Sequence, residues 1–498
     1  MSRHGRTLVV LPVALLVLAS APVSAETDVY ASGVVRGKYL YNTDDEIGAS
    51  VADTRVDLDI GVGALTLGAS YRAYLLSDED YNPADVEASP TEVKHRYAAF
   101  DHEDLSIRAG HFFSTFGHGL TLRSYEDVAL EYDTVLDGLT MGYRVGDVSL
   151  TALSGIATDD EAGTAYTEHV VRAARASMPL TQWAEVAGSV VERSKTARDE
   201  EVELPDAIAR FEDTVVGSEL SVWAGPLTLA AEYAGRDGAN PATEQGEIQG
   251  HATYASATLS FAPITVFGEF KDYEDFNHIL VNPPTAVRDH LWTLMNRATY
   301  QVDLDDERGF MVEASAPAGE AFFLIGGASE ARNHVGDLRH WEMFGQVDWT
   351  AGEATAYLGG AHSREYVFAG GEAAGKFTER TTVGATLELG FASDQMVEMT
   401  AEGQETDDPD GKSYRDYILS AAYYPGYDLT LIATAEKTTS HSSDRDSWFI
   451  AEVRKLVFDD FEVSLSAGTE RGGKKCTGGV CFIEPEFEGV RMRFTRFF

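Results

Sequence analysis

Basic residues are scarce in this chain. Lysine and arginine total 39 of the 498 residues against 81 aspartates and glutamates, so the formal net charge is −42 at pH 7. A protein this acidic lacks the cations that phosphate groups need, which excludes a nucleic-acid partner. The acidic excess has two open interpretations: it serves function by attracting cations, or it reflects a host that acidifies all its protein surfaces.

Cysteine is almost absent. Cys476 and Cys481 are the only two, on either side of a Gly-Gly pair, and the sequence has no Cys-x-x-Cys-His motif for haem attachment. A close cysteine pair in an exported protein is typical of a small disulfide in a hairpin, so we predict a Cys476–Cys481 disulfide. A metal site would need further Cys or His ligands nearby, and none occur. The sequence therefore predicts no cofactor and no metal.

Long apolar runs are missing except at the N-terminus. Two arginines, Arg3 and Arg6, precede an apolar segment over residues 7–21, and Val23-Ser24-Ala25 follows. This order is typical of a secretory signal peptide, residues 1–25, and the apolar segment is shorter than the roughly 20 residues that a spanning helix needs. We therefore expect residues 26–498 to form the exported protein.

The rest of the chain has stretches of alternating apolar and polar residues. In residues 65–75 every odd position is apolar or aromatic, and the positions between are mostly small or polar. Period two indicates β-strands, and these stretches reach the roughly nine to eleven residues that a tilted strand needs to cross a bilayer. A sheet in lipid must close on itself, because an open edge would leave backbone groups unpaired. The alternation predicts a transmembrane antiparallel β-barrel.

Short turns set the strand number. Eleven are predicted on one side of the barrel: Gly63–Ala64, His102–Asp104, Gly146–Asp147, Pro179–Leu180, Gly225–Pro226, Ala262–Pro263, Ala316–Gly319, Ala351–Gly352, Ser393–Asp394, Pro425–Gly426 and Asp459–Asp460. Eleven such turns imply twelve hairpins and about 24 strands, within a range of roughly 22 to 26. The predicted fold is all-β, a single large barrel over residues 26–498.

The C-terminal strand carries a resemblance. Val490, Met492, Phe494 and Phe498 share one face, although Arg496 stands where another aromatic residue is usual. This ending resembles the bacterial outer-membrane β-barrel superfamily, whose last strand ends in a phenylalanine that the barrel-assembly machinery recognises. The resemblance implies an outer-membrane location, contact with lipid and lipopolysaccharide, and the assembly machinery as a partner through Phe498.

A second resemblance runs along most of the mature chain. Residues 113–127, Asn296-Arg297 and Arg308-Gly309-Phe310 resemble an uncharacterised porin-like family of outer-membrane proteins. That resemblance implies a fold and a location, and it implies no substrate.

Two upper loops are unusually long, near residues 117–137 and 275–308. A barrel with more than about 18 strands encloses a lumen too wide to stay empty, so we expect both loops to fold inward. Charged residues that could form a constriction with a transverse field are Arg123, Glu126, Asp127, Glu131, Asp133 and Arg144. The alternative, that these groups pair with one another and brace the loop, stays open.

The sequence gives little support for catalysis or for a calcium site. His118 lies near Ser114, Ser124 and Asp127, but no nucleophile-elbow spacing surrounds them, so we predict that the protein is not an enzyme. Acidic loops such as residues 407–410 could bind Ca²⁺, although acidic loops that bridge to lipopolysaccharide through divalent ions are the ordinary case.

Three functions fit a wide barrel. We expect a porin-like channel for passive passage of small hydrophilic, cationic or zwitterionic solutes. The alternative is a sheath around a haem-protein partner, such as an exported multihaem cytochrome that transfers electrons across the outer membrane. An active receptor is disfavoured, because the first strand begins at about Asp28 and leaves no room for an N-terminal plug domain. The oligomeric state stays open.

Overall fold

A computed structural model describes much of the chain. The described residues are 29–43, 50–76, 91–128, 132–159, 167–197, 211–240, 246–276, 280–281, 284, 286–297, 306–334, 338–366, 377–392, 394–409, 411–441, 443, 445–477, 480–484 and 486–498. The predicted signal peptide, residues 1–25, and the predicted constriction residue Glu131 lie outside them.

Strands dominate the described residues. They are β1 (Val29–Asn42), β2 (Ser50–Val62), β3 (Leu65–Leu76), β4 (Thr91–His102), β5 (Leu105–Phe112), β6 (Thr115–Phe116), β7 (Leu122–Arg123), β8 (Glu126–Asp127), β9 (Tyr132–Asp133), β10 (Leu136–Val145), β11 (Val148–Asp159), β12 (Thr167–Thr181), β13 (Ala184–Ala197), β14 (Phe211–Ala224), β15 (Leu227–Asn240), β16 (Gly246–Phe261), β17 (Ile264–Glu274), β18 (Asp306–Ala318), β19 (Phe322–Arg332), β20 (Arg339–Ala351), β21 (Ala354–Tyr366), β22 (Phe377–Ala392), β23 (Gln395–Asp407), β24 (Ser413–Gly426), β25 (Leu429–Thr438), β26 (Ser447–Phe458), β27 (Phe461–Glu470), β28 (Gly473–Thr477), β29 (Val480–Glu484) and β30 (Phe487–Phe497). One short helix, α1 (Thr293–Asn296), is described between β17 and β18.

Twenty-four of these strands form one closed antiparallel sheet. Each pairs with its neighbour along the chain, except that β5 pairs with β10 and β27 pairs with β30, so the intervening short strands lie outside the wall. The first and last strands close the barrel, with Val34 opposite Phe497 and Asn42 opposite Gly489. The all-β, 24-stranded barrel predicted from the alternation is confirmed.

The outer surface of the wall is apolar. On β3 the side chains of Leu65, Leu67, Tyr71 and Leu75 are exposed, whereas the alternate residue Ser70 is buried. Exposed apolar side chains on strands of this length are the surface that lipid hydrocarbon covers in outer-membrane barrels. Within the described part of the chain, no helix is long and apolar enough to span a membrane.

The short turns lie at one end of the barrel, and three of them fall later than predicted. Pro179, Pro317 and Pro425 lie inside the ends of β12, β18 and β24 instead of at the turns, which follow at residues 182–183, 319–321 and 427–428. The register shifts beside Pro179 and Pro425. Proline has no backbone N–H to donate, and strand ends and bulges are the positions where that loss is tolerated.

Candidate functional site in the barrel lumen

Two segments leave the wall and enter the lumen. The first loop, of which residues 113–128 and 132–135 are described, lies between β5 and β10, and the second loop, of which residues 276, 280–281, 284 and 286–297 are described, follows β17. The first loop forms two small hairpins, one that pairs Thr115 with Arg123 and one that pairs Glu126 with Asp133. Both loops contact the inward faces of the barrel strands, and these contacts define the candidate functional site.

The tip of the first loop lies against carboxylates of β14 and β15. The backbone N–H of His118 donates to Oε2 of Glu232 over 2.6 Å. Gly117 has φ +55, and a Cβ at this position would lie 2.5 Å from Oε2 of Glu232 and 2.8 Å from Cδ of Glu219. Glycine is required here because the turn needs positive φ and because the wall leaves no space for a side chain.

An apolar core holds the first loop inside the barrel. Phe116, Leu120 and Leu122 are fully buried. They belong to one cluster with inward-facing wall residues, namely Leu153, Ala157, Val171, Ala173, Val191, Val215, Ala234, Ala252, Tyr254 and Tyr273. The inner face of this sector therefore carries an apolar patch where the first loop docks, with charged residues such as Glu232 beside it, whereas the alternation predicted a polar inner face. Burial of apolar surface supplies the main driving force for docking the loop.

Charged groups brace the other side of the first loop. Nη2 of Arg55 donates to Oε2 of Glu126 over 3.0 Å, and the guanidinium forms a second bond to the same carboxylate. Asp133 accepts from Nζ of Lys94, and Nε2 of His95 lies 3.0 Å from its carboxylate. Burial raises the pKa of Asp133, but the hydrogen bond from His95 and the charge of Lys94 outweigh it and hold the pKa at about 2. Asp133 is therefore ionised at neutral pH.

Three side chains of the kinds that bind metal ions lie close together at this position. Ligand atoms of His95, Glu126 and Asp133 lie within 4.8 Å of one another. Arg55 and Lys94 already bring two positive charges to these carboxylates. The arrangement is an ion-pair cluster, because a divalent cation would have to displace both basic side chains.

The six predicted constriction residues do not all meet. Glu126 and Asp133 contact the wall through Arg55, Lys94 and His95. Both residues thus attach the loop to wall side chains outside the predicted set of six.

The predicted constriction residues Arg123, Asp127 and Arg144 have other surroundings. The backbone N–H of Arg123 donates to the carbonyl of Leu280, and its guanidinium lies 4.7 Å from the centre of the Tyr125 ring. Asp127 pairs with Tyr132 in the second hairpin of the loop. Arg144 lies far away, beside the short turn that ends β10.

The second loop inserts an indole ring into the wall. Trp292 is buried and packs with Met295, and a Cβ at Gly359 or Gly384 would overlap its ring. These two glycines face each other on β21 and β22, so they form the floor of a slot for the indole.

Polar contacts also hold the second loop. His290 Nε2 lies 2.7 Å from Glu342, Arg288 pairs with Glu313, and Arg297 donates to both oxygens of Glu436. None of these groups is among the predicted site residues. The available signal was the series of glutamates at inward positions of β18–β25, which need cationic or N–H partners once they are buried.

The last four strands of the barrel wall line a cavity of about 290 Å³. It lies along the inner faces of β25, β26, β27 and β30 and is lined by Ile432, Thr434, Ile450, Glu452, Glu470, Arg491 and Arg493. Both charge signs are present, so this part of the lumen suits polar solutes.

The closed 24-stranded wall and its apolar exterior define the class: this is an outer-membrane β-barrel protein. Residues 6–315 match the sequence profile of the family of unknown function DUF6029, and the chain belongs to that family. No curated protein matches the chain.

One solved structure shares the barrel fold at a TM-score above 0.5, and two others show a weaker similarity. A chain of the E. coli P pilus tip assembly intermediate PapC-PapD-PapK-PapG matches with a TM-score of 0.54 and 11% identity, covering 96% of this chain and 62% of that chain. The siderophore receptor PirA from Pseudomonas aeruginosa matches at 0.49 and 10% identity, over 94% and 80%. A BenF-like porin from Pseudomonas fluorescens Pf-5 matches at 0.40 and 11% identity, over 72% and 98%.

Proposed function

We propose that this protein is a passive outer-membrane channel for small hydrophilic solutes that are cationic or zwitterionic. One observation carries the proposal: two loops of the chain dock against the inner wall of the wide barrel, and a cavity with charged walls lies along the inner faces of β25, β26, β27 and β30. Passive passage needs a polar route of restricted width, and it needs no catalytic group.

Carboxylates near the short-turn end of the lumen support the cation preference. Glu388 and Glu398 lie directly opposite each other on β22 and β23, and Asp348 occupies an inward position on the nearby strand β20. Like charges held this close create a negative potential that raises the local concentration of cations. The formal charge of −42 acts in the same direction.

The sheath alternative, with an exported multihaem cytochrome in the lumen, lacks a supporting observation. Residues of the first loop, such as Leu120, and of the second loop, such as Trp292, lie where an enclosed partner would have to sit. We therefore retain the channel as the proposed function.

Conductance measurements test the proposal. The purified protein should conduct ions in planar bilayers, and the reversal potential in a KCl gradient should have the sign of cation preference. The double variant Glu388→Gln/Glu398→Gln should lower this preference, because it removes two charges from the lumen. Asp147→Asn, a matched change at an exposed turn, should leave it unchanged.

Absence of conductance would overturn the channel. If a haem protein co-purified with the non-conducting barrel, the sheath would replace it.

A further inference from the structure

The 290 Å³ cavity combines three kinds of surface. Its size is at the lower end of the range for small-molecule sites, which is about 300 to 1,000 Å³. Arg491 and Arg493 supply positive charge, Glu452 and Glu470 supply negative charge, and Ile432 and Ile450 supply apolar surface. A simple cation or anion would complement only one of these surfaces.

The two arginines have donor capacity to spare. Arg491 is 6% exposed, and its Nη2 donates to Oε2 of Glu470 over 2.8 Å. Its Nε is buried and has no hydrogen-bond partner. Arg493 occupies the next inward position of β30, is exposed, and forms no ion pair with any residue in the described parts of the chain. Buried or confined guanidinium groups without acceptors favour binding of a carboxylate.

The space in front of Arg493 is open because its neighbour is small. Ser464 pairs with Arg493 on one side and with Arg454 on the other. Arg454 is occupied by Glu452, with an Nη2–Oε1 distance of 2.8 Å. The serine therefore separates a neutralised arginine from one that is available to a solute.

We propose that this cavity is a binding site on the permeation route for aliphatic α-amino acids. The carboxylate of the solute faces Arg493, its ammonium group faces Glu452, and its side chain contacts Ile432 and Ile450. This inference rests on the proposed channel function and specifies its solute class. Binding stays weak enough for release, because the site opens to water in the lumen.

Block of single-channel current by leucine tests this site. Leucine should reduce the wild-type current in a concentration-dependent way. Arg493→Gln and Glu452→Gln should each raise the half-blocking concentration about tenfold, since each removes one charge-assisted contact. Arg144→Gln is the matched control, because Arg144 is an exposed arginine on β10, and no residue of β10 lines the cavity.

Two leucine analogues, each lacking one charged group, test the two charged contacts separately. The anion 4-methylpentanoate lacks the ammonium group, so its weaker block should fall further in Arg493→Gln and should not fall in Glu452→Gln, which also frees Arg454. Leucinamide lacks the carboxylate, so Arg493→Gln should not weaken its block.

The outcomes distinguish the two proposals. A protein that does not conduct overturns the channel function itself. A conducting protein that leucine does not block, or that leucine blocks equally in all variants, overturns the amino-acid site and leaves the channel intact.

Discussion

Removing the apolar anchor of the first loop should open the channel. Leu120 and Leu122 are both 0% exposed and lie in the core between the loop and the inner wall. Replacing a buried leucine by alanine costs about 2 to 5 kcal/mol. At the lower end, the double variant Leu120→Ala/Leu122→Ala weakens docking by about 4 kcal/mol, which is roughly a thousandfold in the docking equilibrium. The loop should then leave the wall for part of the time.

Single-channel recording measures this effect. The double variant should show a larger mean conductance and more current noise than the wild type, because the loop no longer narrows the lumen continuously. Val128→Ala is the control, since Val128 belongs to the same loop and is 51% exposed. Unchanged conductance in the double variant, with the strand content of the barrel preserved by circular dichroism, would refute the reasoning.

Three further predictions concern the second loop, pH and the cysteines. Trp292→Ala should increase conductance and noise, because its slot over Gly384 empties; equal currents would argue against this packing. The pKa of Asp133 is held at about 2 against an ordinary value of 3.8, so its contribution to loop docking is complete above about pH 5 and is lost as the pH falls through about 2. Current noise should therefore rise only below about pH 3, and Asp133→Asn should be noisy already at neutral pH. Mass spectrometry of unreduced peptides should recover Cys476 linked to Cys481, which are directly opposite in the β28–β29 hairpin.

The disulfide between Cys476 and Cys481 is still a prediction from the sequence. The backbone register places the two cysteines opposite each other, and their side chains lie outside the described part of the structure. The disulfide therefore stays a prediction, as do the lipopolysaccharide contacts and recognition of Phe498 by the assembly machinery.

Parts of the loop packing could have been predicted. Val170-Val171, Val190-Val191 and Val215-Val216 interrupt the alternation with two adjacent apolar residues. Adjacent residues of a strand face opposite sides, so each pair indicates a wall that is apolar on both faces. In the structure Val171, Val191 and Val215 are fully buried against the first loop. The doubled valines therefore indicate, from the sequence alone, where the first loop docks.

The ion pairs of the loops could not be predicted from the sequence. Arg55 and Glu126 are 71 residues apart, and Arg297 and Glu436 are 139 apart. Many other arginines and glutamates could have paired equally well by type. Arg144 illustrates the same limit, because its proximity to the loop along the chain does not bring it to the loop in space.

The sequence by itself determined the wall of this protein. Strand alternation, turn chemistry and the need to close a sheet in lipid act locally or through pairing of neighbours, so about 24 strands could be counted without coordinates. Only the tertiary structure decided what fills the lumen. Its contacts join residues from distant strands, and they exist only after the barrel has closed and brought opposite walls within reach of the two loops.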